Sequence, residues 1–242
     1  MASHQPQSCC AKGFVRTGTP NGEIITLADT KIYLTGDKSS KKVLLFLPDI
    51  LGIEYINSQL LADSFADAGY LVFVVDTFDN DPAPHNDPNF QIMTWIQSHM
   101  PPRGQEIAET VLAAIRKQYN PSFVASVGYC YGANLVLYLS GKSLIDAAAL
   151  AHPSFVSEEL VQGIKCPLII SAAETDTIFT DELRTRTLEI LREIKAKYYI
   201  QIFGGTQHGF ANRGDPSDPV VEEARAKAYQ DQVWWFNKFS KL

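Results

Sequence analysis

Short, uninterrupted apolar runs recur along this chain, each separated from the next by a stretch of helical period. Val43-Leu-Leu-Phe-Leu47 and Leu71-Val-Phe-Val-Val75 have the length and composition of strands. Between them, residues 55–68 carry Ile56, Leu60, Leu61, Phe65 and Ala68 at helical spacing, with Gly69 placed to end the helix. A strand that is apolar on both faces has to be covered on both faces, so the alternation implies an α/β chain with a mostly parallel, doubly wound sheet. Further strands are expected at 123–127, 146–150, 167–171 and 198–203, and further helices at 90–99, 104–119, 131–140, 181–195 and 220–239. Residues 23–34 pattern as an N-terminal hairpin across Ala28-Asp29-Thr30. Residues 76–89, rich in Pro and Asp, pattern as a lid or pocket-lining loop, and residues 1–20 as an irregular N-terminal segment. No repeat or linker-like tract divides the chain, so one domain is expected over 1–242.

Composition narrows the partners. Lys and Arg number 21 against 27 Asp and Glu, a net charge of −6, which lacks the basic footprint of a nucleic-acid or anionic-membrane binder. No apolar run approaches the ~20 residues of a membrane span. The first residues, MASHQPQSCCAKGF, have neither the basic start and apolar stretch of a secretory leader nor an Arg-rich transit pattern, so a cytoplasmic location is expected. Four cysteines (Cys9, Cys10, Cys130 and Cys166) are too few for a disulfide scaffold, and none has zinc-site spacing. The expected partner is a small-molecule substrate, with no metal, no cofactor, no nucleic acid and no membrane, and the chain is expected as a monomer or homodimer.

In sheets of this kind the chemistry lies beyond the carboxyl ends of the strands. After 123–127 comes Gly128-Tyr129-Cys130-Tyr131-Gly132, the G-x-nucleophile-x-G pattern with Cys for Ser, between an expected strand and an expected helix. After 167–171 come Glu174 and Asp176, and after 198–203 comes His208 in a glycine-rich loop. Cys130, Asp176 and His208 thus follow the order nucleophile, acid, base. Each has a plainer reading: Cys130 as an inert buried thiol, Asp176 as a helix cap (although Thr180 and Asp181 are better placed), His208 as a loop residue. Glu174 competes with Asp176 for the acid. In the catalytic reading a helix N-terminus and the imidazole draw the proton from the thiol, Asp176 orients His208, and the backbone N–H groups of Tyr131 and Ile50 receive an oxyanion.

These segments, with Leu47-Pro48-Asp49-Ile50-Leu51-Gly52, Glu174-Thr175-Asp176 and His208-Gly209-Phe210, resemble the dienelactone hydrolase family of α/β-hydrolases over about residues 23–240. The likeness is strongest to the fungal branch, which shares the Cys9-Cys10 pair and the His152-Pro153-Ser154-Phe155 segment. It implies a single-domain α/β-hydrolase fold and a Cys-His-Asp hydrolase of lactones or esters acting through an acyl-enzyme. In bacterial members a Glu that pairs with the resting thiol stands where this chain has Asp49, and two arginines hold the substrate carboxylate. Here residues 76–102 contain no Arg; Arg103 follows them, and Arg213 is a candidate for the second position. The family also includes enzymes of fungal secondary metabolism acting on polyketides. Phe78, Trp95, Tyr129, Tyr131, Phe155, Phe179 and Phe210 are candidates to line a pocket for a flat apolar substrate, as is His152, each with an ordinary core reading beside it. Alternative functions are a non-hydrolytic isomerase, cyclase or lyase using the same cleft, and a non-catalytic thiol-sensing domain.

Overall fold

The computed structural model describes residues 1–241. A hairpin of β1 (Glu23–Leu27) and β2 (Thr30–Thr35) turns through Ala28 and Asp29, both in the left-handed region, the turn whose twist matches paired strands. There follow β3 (Lys42–Leu47), α1 (Ile56–Asp67), β4 (Leu71–Val75), α2 (Ile92–Ser98), α3 (Pro101–Tyr119), β5 (Phe123–Tyr129), α4 (Gly132–Gly141) and β6 (Ala147–Ala151). The chain continues through α5 (Glu158–Gln162), β7 (Leu168–Thr175), α6 (Asp181–Glu193), β8 (Tyr198–Gln207), α7 (Phe210–Arg213) and α8 (Pro219–Phe239). The eight strands make one sheet in the order β1-β2-β4-β3-β5-β6-β7-β8. The hairpin pairs antiparallel to β4, and every pairing from β4 to β8 is parallel.

The apolar strands separate their side chains by the pleat. Val43, Leu45, Leu47, Phe73 and Val75 join one buried cluster with Ile107, Val111 and Leu135 of α3 and α4. Leu44, Phe46, Val72 and Val74 join a second cluster with Phe65 of α1 and Trp235 and Phe236 of α8. The sheet is therefore covered on both faces, as continuous apolar strands require. Between β3 and β5 the chain has gone out to β4 and returned, so the strand order reverses there. The crevice beyond those two strand ends is where such sheets place a site.

The structure extends β5 to Tyr129, β7 to Thr175 and β8 to Gln207, past the expected ends. The added ends include buried Gly128, Tyr129, Ala172 and Ala173 as well as exposed Glu174, Thr175, Gly204, Gly205 and Gln207, and backbone pairing carries the strands through them. The helices α5 and α7 and a 3-10 turn at Ser8–Ala11 were not legible, being too short to show a period. Among the described residues no helix is long and apolar enough to cross a membrane.

Candidate active site

Cys130 stands at the bend from β5 into α4 with φ of 50°, a conformation costly for a non-glycine residue. Its flanking glycines are required by space. A Cβ at Gly132 would lie 2.0 Å from the Leu47 carbonyl oxygen, and one at Gly128 would lie 2.5 Å from the Gly132 backbone. The bend is held from the next strand: the Cys130 N–H donates to Ala151 O at 3.1 Å, and the Ser154 N–H donates to Cys130 O at 3.0 Å.

Three strand ends meet at this sulfur. His208, just beyond β8, places Nε2 3.2 Å from Cys130 Sγ and Nδ1 2.9 Å from Asp176 Oδ2. The other oxygen, Oδ1, accepts the N–H groups of Ile178 (2.8 Å) and Phe179 (3.0 Å), which fixes the carboxylate's orientation. Thr180 caps α6 by accepting the Leu183 N–H, so Asp176 is not the cap. Glu174 is exposed and accepts from the Gly205 N–H instead. Among the described residues neither the Ile50 nor the Tyr131 N–H donates to a loop, turn or cap carbonyl.

Electrostatics favour an ion pair. Burial pushes the Cys130 thiol up, but the neighbouring Cys10 thiol, the charge on His208 and the hydrogen bond to His208 together bring it well below the ordinary thiol range. Burial pulls His208 down, and the Cys130 charge and the bond to Asp176 outweigh it, raising the imidazole to about 9. Asp176 is held below its usual value against its burial by His208 and two N–H donors. His152 is fully buried, its rings centred 5.0 Å from His208 and 5.9 Å from Phe210. Burial pushes it down to about 4, so it is neutral.

Two neighbours of the sulfur carried no sequence signal that placed them there. Ser154 Oγ lies 3.5 Å from Cys130 Sγ, and Cys10 Sγ, 120 positions earlier in the chain, also lies at 3.5 Å. The segment bearing Cys10 crosses the strand ends, and Cys130 is fully buried beneath it. Cys10, Cys130 and His208 offer three metal-ligating atoms within 4.8 Å of one another. A soft metal ion would fit that donor set, but it would occupy the same sulfur and imidazole that the acid–base geometry pairs.

The other candidates divide. A cavity of about 420 Å³ reaches His208 and is bordered by Cys9, Phe14, Phe210 and Arg213. A smaller one of about 230 Å³ is bordered by Phe78, His99, Arg103 and Tyr131. Trp95 stacks on His99 at 4.1 Å, and Phe155 meets Tyr131 edge-on at 5.9 Å. Tyr129 is corrected: the pleat turns it to the opposite face, where it stacks on Phe46 and donates to Gln232. The Phe179 side chain is wholly in the core, and its N–H alone reaches Asp176. Asp49 does not face the thiol. Its Oδ1 accepts the Leu51 N–H, and its Oδ2 takes Arg213 at 2.6 Å and Asn212 at 3.1 Å. Arg213 is correspondingly anchored, with its Nε and second terminal nitrogen buried and unpartnered.

The dienelactone hydrolase family model matches residues 30–240. The chain is 36% identical to "Hydrolase pyvD" of Aspergillus violaceofuscus over 100% of both proteins. It is 36% identical to "Hydrolase tropI" of Talaromyces stipitatus, covering 100% of this chain and 99% of that one. It is 37% identical to "Dienlactone hydrolase 1" of Gibberella moniliformis, covering 95% and 92%. Among solved structures, a dienelactone hydrolase from Anabaena variabilis superposes with a TM-score of 0.67 at 11% identity, covering 91% of this chain and 98% of that one. A dienelactone hydrolase-like promiscuous phosphotriesterase from metagenomic libraries superposes at 0.75 and 16%, covering 92% and 99%. At those identities the structures speak to the fold.

Proposed function

The chain belongs to the dienelactone hydrolase family, and on that premise we propose that it cleaves a lactone or ester through a thioester on Cys130. The observation that carries this reading is the continuous line from Asp176 through both nitrogens of His208 to the sulfur, at 2.9 and 3.2 Å. The Cys130 thiolate attacks the carbonyl carbon, and the Tyr131 and Ile50 N–H groups receive the negative oxygen. His208, protonated, gives its proton to the departing alkoxide, which in a lactone remains tethered to the acyl group. The now neutral imidazole then takes a proton from water, whose oxygen attacks the thioester and releases the acid. Asp176 keeps Nε2 directed at the sulfur throughout.

The cavity beside His208 and the aromatic side chains around Tyr131 support a flat, apolar acyl group such as an aromatic or polyketide-derived lactone. Arg213 borders the His208 end of that cavity, and its charge favours a carbonyl or carboxylate oxygen placed there. The test is a panel of lactones and activated esters assayed with wild type and Cys130→Ala, with intact-mass trapping of the acylated protein. Turnover should vanish in the variant, and the acyl adduct should map to Cys130. Full activity in Cys130→Ala would refute covalent catalysis and favour acid–base chemistry by His208 alone.

A further inference from the structure

The segment over the active site is a strap tied at separate points. The Ala2 and Ser3 N–H groups donate to Val156 O at 2.9 and 2.8 Å, and the His4 N–H donates to Ile178 O at 2.8 Å. The Phe155 N–H donates back to His4 O, the Asn86 N–H to Ala11 O, and the Phe14 N–H to Arg213 O. Between these ties lies the 3-10 turn Ser8–Ala11, and from it the fully buried Cys10 presents its sulfur 3.5 Å from that of Cys130. The proposed hydrolysis has no use for a second thiol there.

We propose that Cys10 is a resolving thiol: when a hydroperoxide oxidises Cys130, Cys10 closes a disulfide on it that silences the site reversibly and fastens the strap across it. The inference rests on Cys130 being the thiolate of the reading above. In the first step the Cys130 thiolate attacks the terminal peroxide oxygen. The O–O bond breaks, the departing alkoxide or hydroxide takes the proton of the His208 imidazolium and leaves as alcohol or water, and Cys130 becomes a sulfenic acid. In the second, neutral His208, with a ring nitrogen within 4.8 Å of Cys10 Sγ, takes the Cys10 proton. The Cys10 sulfur attacks the sulfenyl sulfur, and hydroxide leaves with that proton as water. One hydroperoxide is reduced by two electrons, and two thiols supply them.

The surroundings separate this pair from the other cysteines. Cys166 rests against Ser140 Oγ at 3.1 Å, and burial pushes its thiol up to about 11, so it is not a thiolate. Cys9 is held at about 6, chiefly by the neighbouring Cys10 thiol, but it is half-buried and borders the cavity. The Cys10–Cys130 gap must close from 3.5 Å to about 2.05 Å. The bend at Cys130 is clamped by β6, so the movement falls to the strap, which belongs to no sheet. A sulfenic acid buried beneath the strap meets Cys10 before it meets a second peroxide, which would carry it on to the irreversible sulfinic acid.

The experiment treats the reduced, full-length protein with one equivalent of hydrogen peroxide and follows intact mass, tryptic links and hydrolysis. Wild type should lose about 2 Da and link the peptide ending at Lys12 to the peptide between Lys117 and Lys142. Its activity should fall at least about tenfold and return with dithiothreitol. Cys9→Ser should behave the same. Cys10→Ser, and Cys10→Ala in parallel, should instead gain about 32 Da at Cys130 on further peroxide and stay inactive in dithiothreitol. A Cys9–Cys10 bond in wild type, sulfinic Cys130 in wild type, or full recovery in Cys10→Ser would each overturn the proposal. Iodoacetamide labelling of the reduced protein separates the two readings. If Cys130 reacts no faster than Cys166, the nucleophile assignment fails; if Cys130 reacts faster yet no link forms, the resolving role alone fails.

Discussion

At the scale of the residue, the site rests on one proton shared between sulfur and imidazole. With His208 raised to about 9, kcat/KM for lactone hydrolysis should hold through neutrality and fall as pH rises through about 9, where the imidazolium that protonates the leaving alkoxide is lost. The same sign governs stability. The contribution of the His208 imidazolium is complete below the free imidazole value of ~6.5 and is lost as pH rises through about 9. His208→Gln should remove the titration and lower kcat by about 10³–10⁴-fold, and Asp176→Asn, which turns the imidazole to the wrong tautomer, should approach it. The pH–rate profiles of the three proteins check this; a wild-type limb near 6.5 would place the proton elsewhere. Asp176 rather than Glu174 was arguable from order and cap spacing, because Thr180 stood ready to cap α6. The burial of Tyr129 away from the site was not, since the face it takes depends on how far β5 runs before the bend, and apolar patterning ends two residues short of that point.

At the scale of the element, the glycines around Cys130 separate structure from ornament. Gly132→Ala puts a methyl against the Leu47 carbonyl oxygen at 2.0 Å, backbone that cannot turn aside, and should cost about 3 kcal/mol or more. Gly204→Ala, at an exposed position with nothing within 4 Å, should stay within about 0.5 kcal/mol. Urea denaturation of both tests the elbow; equal effects would mean that β3 and α4 do not approach as described. The strap offers a second prediction. A Cβ at Gly13 would meet Arg213 Cβ at 2.6 Å, so Gly13→Ala should loosen the strap from α7. Exchange of the Phe14 amide, bonded to Arg213 O, should accelerate, and alkylation of buried Cys130 should accelerate with it. Unchanged exchange would show that the strap opens elsewhere. The parallel strands were legible because β-branched and aliphatic runs such as Leu71–Val75 have no other economical placement. The strap was not: it has no period, and what buries Cys10 is a contact made 120 residues away.

At the scale of the whole molecule, an ion pair joins chain positions 164 residues apart. Asp49 follows β3 at the centre of the sheet, and Arg213 ends α7 beyond its far edge; their side chains are 0% and 1% exposed and bond at 2.6 Å. The family resemblance implied a carboxylate near the thiol, but the loop after β3 delivers Asp49 to α7, where Asn212 joins it at 3.1 Å. Two charges taken out of water attract strongly but each loses its hydration, so the pair is worth less than the damage done by removing one partner. Asp49→Asn leaves the Arg213 charge buried and should lower stability by about 3–5 kcal/mol, with the denaturant midpoint falling and the slope unchanged. Arg213→Met alone strands Asp49 and should cost a similar amount. The double variant, with neither ion to solvate, should recover about half or more of the summed loss, because the two sites share one interaction. Additive losses in the double-mutant cycle would mean that Asp49 and Arg213 act independently, and that the strand ends are held in place by the strap and α8 instead.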